Sequence, residues 1–241
     1  MKMMHHILSF FIPQACIACR SLLDFSEESS VCPSCTKELK PLSSSICEQC
    51  GDPFPHEEVA SHLCGECLTN PPPFEWARSV FELEPKLAQM IHAAKYKGDT
   101  PSLQWLGKQI EKEWPRYKKK IVLDWIVPVP LHPFRLLKRG FNQSLLIALS
   151  FSKRIQVPLE FKNLKRKMHE KSQVSRTREE RLQQIRGSFA VKNSAVFKNK
   201  KILLIDDVYT TGATLRECAK VLKKCGATVY ALTLARTLLL R

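Results

Sequence analysis

The chain has 241 residues, of which 44% are apolar, 25% charged and 8% aromatic; this excludes a mostly disordered polymer and a short peptide module and suits one or two globular domains. Lys and Arg outnumber Asp and Glu by 38 to 23, and the balance is divided: residues 1–70 hold four basic and nine acidic side chains, so the whole +15 excess, and more, falls after residue 70. No run reaches the roughly 18 apolar residues that a membrane-spanning helix needs.

The first apolar run, residues 7–12, stops at Pro13. With Lys2 ahead of it and Gln14-Ala15-Cys16 behind, it has the outline of a signal peptide or a lipoprotein cleavage site. The run is short, however, and cleavage there would remove or modify a cysteine of the pattern that follows. It is read as a lead-in helix packed on the rest of the chain, and the protein as cytoplasmic.

Eight of the ten cysteines follow as four pairs, Cys16-x-x-Cys19, Cys32-x-x-Cys35, Cys47-x-x-Cys50 and Cys64-x-x-Cys67. The second half repeats the first at an offset of 31 or 32, the mark of a duplicated two-knuckle unit. A CxxC turn presents two thiolates to one ion, and two such turns complete a tetrahedral zinc site. Disulfides are the alternative for an even count, but regular CxxC spacing in a chain with no sign of secretion favours metal. Two structural Zn2+ ions are expected, with sequential or cross-braced pairing both compatible with the spacing. All eight ligands are protein thiolates, so neither site is open for catalysis, and His56 and His62 are read as surface residues. The head is acidic even before metal is counted, which makes it a docking or structural module rather than a phosphate-binding surface.

Thr69-Asn70-Pro71-Pro72-Pro73 separates this head, residues 1–70, from a body at 74–241, since three prolines forbid helix and stiffen the link. A strand is expected over 77–83. A helix over 85–97 follows, with Leu87, Met90, Ile91 and Ala94 on one stripe and Lys95 and Tyr96 off it. Gly98-Asp99 ends it. A second helix, around 101–114, leads to the basic loop Lys118-Lys119-Lys120, then a strand at 121–127 terminated by Pro128-Val129-Pro130. Residues 153–201 carry fifteen basic and four acidic side chains, either a solvated basic face or a track for nucleic-acid phosphates.

The sharpest segment is Ile202-Leu203-Leu204-Ile205-Asp206-Asp207-Val208-Tyr209-Thr210-Thr211-Gly212-Ala213-Thr214. A continuous apolar run suits a buried parallel strand, and two carboxylates follow at its carboxyl end, where open α/β sheets place ligands. A hydroxyl-rich turn with a glycine then opens a helix whose apolar stripe (Leu215, Cys218, Ala219, Leu222, Cys225) takes the last two cysteines into the core. Helix-terminal amides with the Thr210, Thr211 and Thr214 hydroxyls can surround a phosphate monoester. Asp206 and Asp207 suit a vicinal diol. A phosphate beside a diol is a ribose 5-phosphate.

The run from Asp206 to Thr214 resembles the phosphoribosyl pyrophosphate (PRPP) signature of type I phosphoribosyltransferases. Pro128-Val129-Pro130-Leu131-His132, with Arg135 and Arg139-Gly140-Phe141-Asn142-Gln143, resembles the ComF (competence protein F) family. So do His92-Ala93-Ala94-Lys95-Tyr96-Lys97-Gly98-Asp99, Gln173 with Arg181-Leu182 and Gly187-Ser188-Phe189, and the fusion of a cysteine-rich head to this body. Gln184 departs from the asparagine expected there. The resemblance implies an α/β body with a mostly parallel sheet and helices on both faces, beside a small zinc-ribbon head. It also implies a site in which Asp206 and Asp207 hold the ribose hydroxyls and Thr210, Thr211, Gly212, Ala213 and Thr214 hold the 5-phosphate. Arg135, Lys138, Arg139, the Gly140 turn and Lys95 would meet the pyrophosphate, which normally arrives with Mg2+, and residues 165–189 are placed to close over it.

The implied function is displacement of pyrophosphate from PRPP, and a role in natural transformation on the cytoplasmic side of DNA import. The alternatives are a PRPP- or nucleotide-sensing protein without turnover, and a single-stranded DNA-binding factor. The zinc head would serve as the contact for other competence proteins.

Overall fold

The computed structural model describes residues 15–23, 30–42, 44–55, 60–96, 100–118, 121–167 and 185–238. The lead-in run, His56, the Gly98-Asp99 helix stop, Gln173, Arg181, Leu182 and Gln184 lie outside them, as does most of the 165–189 segment.

The cysteine-rich head contributes two five-residue helices, α1 (Pro33–Lys37) and α2 (Gly65–Thr69), each entered from a cysteine. The body then runs β1 (Trp76–Glu82), α3 (Pro85–Tyr96), α4 (Thr100–Lys118), β2 (Trp125–Pro128), α5 (Pro133–Arg139), α6 (Gln143–Ile155), β3 (Leu164–Arg166), β4 (Phe189–Val191), β5 (Lys201–Tyr209), α7 (Ala213–Lys224) and β6 (Thr228–Arg236). Four strands form one all-parallel sheet in the order β1-β6-β5-β2. Beyond β2 the chain at Pro158–Glu160 adds a short parallel rung, with Ile126 N–H donating to Pro158 O (2.9 Å) and Glu160 N–H to Ile126 O (2.8 Å). β3 and β4 pair antiparallel as a separate ribbon.

β5 reads as unbroken hydrophobicity because both of its faces are covered. Leu203 and Ile205 join Met90, Leu106, Ile110, Ile147 and Phe151 in one core. Ile202 and Leu204 point the other way, into a core with Phe197, Leu215, Cys218 and Leu222. Helices α3, α4 and α6 therefore lie on one face and α7 on the other, as the parallel-sheet architecture requires. Cys218 is buried, while Cys225 is half-exposed at the end of α7.

Two boundaries differ from expectation for local reasons. α4 runs to Lys118 although Pro115 forfeits one i→i−4 bond, because the Tyr117 hydroxyl anchors the last turn by donating to Ser79 O (3.2 Å). β2 begins at Trp125 rather than 121, because Asp124 ends the approach to it. Its carboxylate accepts from Lys201 N–H (2.8 Å) and Lys200 Nζ (3.0 Å).

The head covers the free edge of β1, a position that would otherwise present unpaired amides. Leu42 N–H donates to Val80 O and Glu82 N–H to Lys40 O, both 3.0 Å, and Ala77 N–H donates to Gln49 O at 2.7 Å. Leu23, Val31 and Leu39 of the head pack in one continuous core with Trp76, Phe81 and Trp105. Gly51 takes φ +72°, and a Cβ there would lie 2.4 Å from Ala77 O, so only glycine permits this approach. Among the described residues no helix is long and apolar enough to cross a membrane.

Candidate functional site

The eight head cysteines gather as Cys16, Cys19, Cys32, Cys35 and as Cys47, Cys50, Cys64, Cys67, the four Sγ atoms of each set within 4.8 Å of one another. Pairing is therefore sequential, and the cross-braced alternative falls. Cys19 and Cys32 Sγ lie 3.7 Å apart, as do Cys50 and Cys64 Sγ. Tetrahedral bonds of about 2.3 Å from zinc place sulfurs at close to this separation. Backbone amides point at the sulfurs, Cys32 N–H at Cys16 Sγ (3.4 Å) and Cys64 N–H at Cys47 Sγ (3.3 Å), which stabilises thiolate. The tetrads fit structural Zn2+. They differ in burial: Cys19 of the first is exposed, whereas the second is buried throughout. His62 stays on the surface, stacked on Phe54 at 4.1 Å.

β5 extends past its neighbour β2, whose pairing stops at Ile205. One side of Asp206 and Asp207 is thereby left for α3 and α6 to fill. Ser144 Oγ, in the first turn of α6, donates to Asp206 Oδ1 at 2.8 Å, and the Asp207 amide donates to the same oxygen at 2.9 Å. Lys95, from the last turn of α3, forms an ion pair with Asp207. Both acids are over nine-tenths buried. Burial first, and the charge of Asp207 second, push the Asp206 carboxyl from 3.8 up to about 7, against the pull of Ser144 and Lys95.

A carboxyl raised in this way holds a proton in the folded chain that the unfolded chain releases. The stability it contributes is complete below pH ~4 and is lost as pH rises to about 7. Asp206→Asn is therefore expected to raise Tm by about 2–4 °C at pH 8 and to change it little at pH 4, as read by scanning calorimetry. Equal shifts at both pH values would show that Asp206 does not titrate in this way.

The turn after β5 is shaped by Gly212, which caps α7 with φ +74°. A Cβ there would meet Tyr209 Oη at 2.2 Å. The Thr211 hydroxyl accepts from Ala213 N–H (3.4 Å), Thr210 is exposed, and Thr211 and Thr214 are half-buried. First-turn amides of α7 have no partner within the helix, so the turn can receive an anion.

α5 carries Arg135, Lys138 and Arg139 and ends at Gly140 with φ +78°. Arg139 donates to Tyr96 Oη (2.9 Å) and to Gln143 Oε1 (3.4 Å), and lies over the Tyr96 ring at 4.7 Å. The arginine holds the Tyr96 hydroxyl below its ordinary value. Gln143 Nε2 donates in turn to Asp207 Oδ2 at 3.5 Å, linking Arg139 to the acids. Among the described residues Arg135 makes no direct contact with the acids; its charge reaches Tyr96 and the half-buried Arg166. Nothing lies within 4 Å of a Cβ at Gly140, so that glycine supplies the left-handed helix end in open space.

Of the residues singled out from sequence, the structure thus joins Lys95, Asp206, Asp207 and Arg139 in one contiguous network and sets the 210–214 turn beside them. Ser144, Gln143 as a bridge, and Arg166 were missed. Ser144 carries no motif, and only the sheet's open side brings it to the acid pair.

The double zinc ribbon domain family matches residues 7–68, and the phosphoribosyl transferase domain family matches residues 142–237. The chain is 30% identical to competence protein F of Haemophilus influenzae over 225 residues, 88% of this chain and 91% of the relative. It is 29% identical to competence protein ComFC of Bacillus subtilis over 227 residues, covering 90% of this chain and 89% of that one. It is also 29% identical to DNA utilization protein YhgH of Escherichia coli over 232 residues, 94% and 99% of the two chains.

Proposed function

Because the chain belongs to the competence protein F family, in which a double zinc ribbon is joined to a phosphoribosyltransferase domain, we propose that it binds PRPP with Mg2+ and displaces pyrophosphate from it, on the cytoplasmic side of DNA uptake. The observation that carries this reading is the buried Asp206–Asp207 pair set against a glycine-capped, hydroxyl-rich helix N-terminus. In it, residues 1–70 are the zinc-ribbon domain and 74–241 the phosphoribosyltransferase domain.

Asp206 and Asp207 take the ribose hydroxyls. Thr210, Thr211, Gly212, Ala213 and Thr214 take the 5-phosphate through amides and hydroxyls. Lys95 and Arg139, with Arg135 on the exposed side of α5 near Gly140, face the pyrophosphate and offset the charge that grows on it as it leaves. The donor set suits Mg2+: carboxylate and hydroxyl oxygens are hard ligands, right for an ion that brings most of its oxygens from phosphates and water. When bound, that ion neutralises the departing pyrophosphate. The chain's own residues bind, orient and exclude water. The zinc head is the surface for other competence proteins.

A second reading, single-stranded DNA as ligand, is favoured by the cation excess of residues 153–201, where Lys153, Arg154, Lys162 and Lys167 are exposed. One titration separates the two: PRPP binding with and without Mg2+, repeated against a short single-stranded oligonucleotide. The expected result is Mg2+-dependent PRPP binding that Asp206→Ala/Asp207→Ala weakens by about 100-fold or more, the loss of several charge-assisted hydrogen bonds. With a nucleobase or amine supplied as the nucleophile that takes the anomeric carbon, pyrophosphate release by the wild type, absent in that variant, marks turnover. Oligonucleotide binding that falls steeply with salt, with no PRPP binding, would overturn the first reading in favour of the second.

A further inference from the structure

The phosphate turn is supported from behind by the second zinc ribbon. Arg236, the last residue of β6, is 5% exposed and stands opposite Tyr209 in the β5–β6 register. Its Nη1 donates to Cys50 O at 2.7 Å, its Nε donates to Asp52 Oδ1 at 3.2 Å, and its Nη2 lies 4.0 Å from Cys50 Sγ. The same guanidinium lies over the Tyr209 ring, 4.0 Å from its centroid. Tyr209 is itself the wall against which Gly212 is packed.

A second link reaches the other side of the turn. Arg216, in the first turn of α7, donates to Asn70 O (2.9 Å) and pairs with Glu66 Oε1 (3.6 Å), both next to the Cys64–Cys67 knuckle. The strand entering the turn and the helix leaving it are thus held by the two knuckles of one tetrad. Among the described residues the first ribbon has no such link. Its ion pairs to the body, Lys86 with Glu38 and Lys40 with Glu84, lie along β1 and α3.

We infer that the second ribbon is a positioning element of the ribose-phosphate site, with Arg236 as the residue that transmits metal-loaded ribbon geometry through Tyr209 to Gly212. Four thiolates on one Zn2+ leave a net −2 beside a buried guanidinium, so loaded ribbon and arginine stabilise each other. Release of the metal frees the Cys50 turn, removes the carbonyl that Arg236 bonds, and lets Tyr209 leave its place under the turn. The two zinc sites are then unequal: both ribbons hold the sheet edge, and the second also sets ligand affinity. This rests on the PRPP reading for its ligand but not for its geometry.

The experiment uses the full-length zinc-loaded protein and three variants, Arg236→Lys, Asp52→Asn and Lys86→Ala, each checked for two zinc ions per chain. Amide hydrogen exchange over residues 209–215 reads the turn without any ligand; PRPP titration with Mg2+ reads affinity. Arg236→Lys keeps the charge but not the planar contact with both Cys50 and Tyr209. Asp52→Asn changes the ribbon's side of the same contact and leaves the arginine in place, which keeps the test valid should the arginine variant fold poorly. The expected result is faster exchange in the turn and PRPP binding weaker by about 10-fold in both variants, with Lys86→Ala unchanged. Wild-type exchange rates in Arg236→Lys and Asp52→Asn, at full zinc content, would overturn the inference. If the wild type binds no PRPP, the ligand reading fails and exchange alone decides the coupling.

Discussion

Gly212→Ala is expected to abolish PRPP binding while leaving the sheet intact. An alanine Cβ would stand 2.2 Å from Tyr209 Oη and 2.5 Å from its Cζ, and φ there is +74°. Left-handed backbone at a non-glycine residue is strained by roughly 1–3 kcal/mol, and forcing atoms into a packed site adds a similar ~1–3 kcal/mol. The ring cannot yield easily. It is 4% exposed, Arg236 covers one face, and burial holds its hydroxyl neutral, with a pKa pushed up to about 12.

The turn must give instead, which moves the amides of residues 213 and 214 away from the phosphate. A loss of at least ~100-fold in affinity follows if two such bonds go, with a fall in Tm of about 5–10 °C. Calorimetric titration and thermal unfolding check the two numbers separately. Tyr209→Phe in the same chain is expected to rescue little, because Cζ clashes as well. Full affinity in Gly212→Ala would mean that the turn does not bind phosphate.

Stripping zinc with a strong chelator is expected to collapse more than the head. Structural zinc contributes an apparent ~10–16 kcal/mol per site, as much as the whole stability of a typical domain, about 5–15 kcal/mol. The first ribbon shares its core with Trp76, Phe81 and Trp105, and its Lys40–Leu42 segment is hydrogen-bonded to β1. Its unfolding uncovers both that apolar surface and a strand edge, a combination that drives association. Near-UV circular dichroism should lose its tryptophan signal, and light scattering should rise as chelation proceeds. A soluble chain with an unchanged tryptophan signal after complete metal loss would show that the body stands without the head.

How far these features are visible in the residues themselves depends on range. The CxxC spacing and the 206–214 signature are local patterns, and each specifies its own geometry: cysteine knuckles and a glycine-capped turn at the head of a helix. Strands β1 and β5 and helices α3 and α7 follow from periodicity for the same reason. Sequential pairing within the tetrads was open until the sulfurs were placed, because spacing alone satisfies two arrangements. Helices α5 and α6 and strand β6 were not anticipated. Pro128-Val129-Pro130 and Pro133 look like punctuation, yet Pro133 is the first residue of α5, where its missing N–H has no role. The contacts of Ser144 with Asp206 and of Arg236 with Cys50 span 62 and 186 residues. No window of sequence contains both partners, so only the closed sheet reveals them.

The strand order has a consequence for the making of the molecule. β6 lies between β1 and β5, and its Thr233 hydroxyl meets that of Ser79 at 2.6 Å, 154 residues away. Such a sheet has high contact order, and the entropy of closing that long loop must be met before any strand pairing rewards it. During synthesis the head emerges first and can take up zinc through contacts no more than about 20 residues apart in sequence. β1 then waits, with the head already on its outer edge, for β6 to leave the ribosome. A chain that ends before residue 228 therefore holds a metal-loaded head on β1 and a separate β5-β2 pair, with no strand to join them.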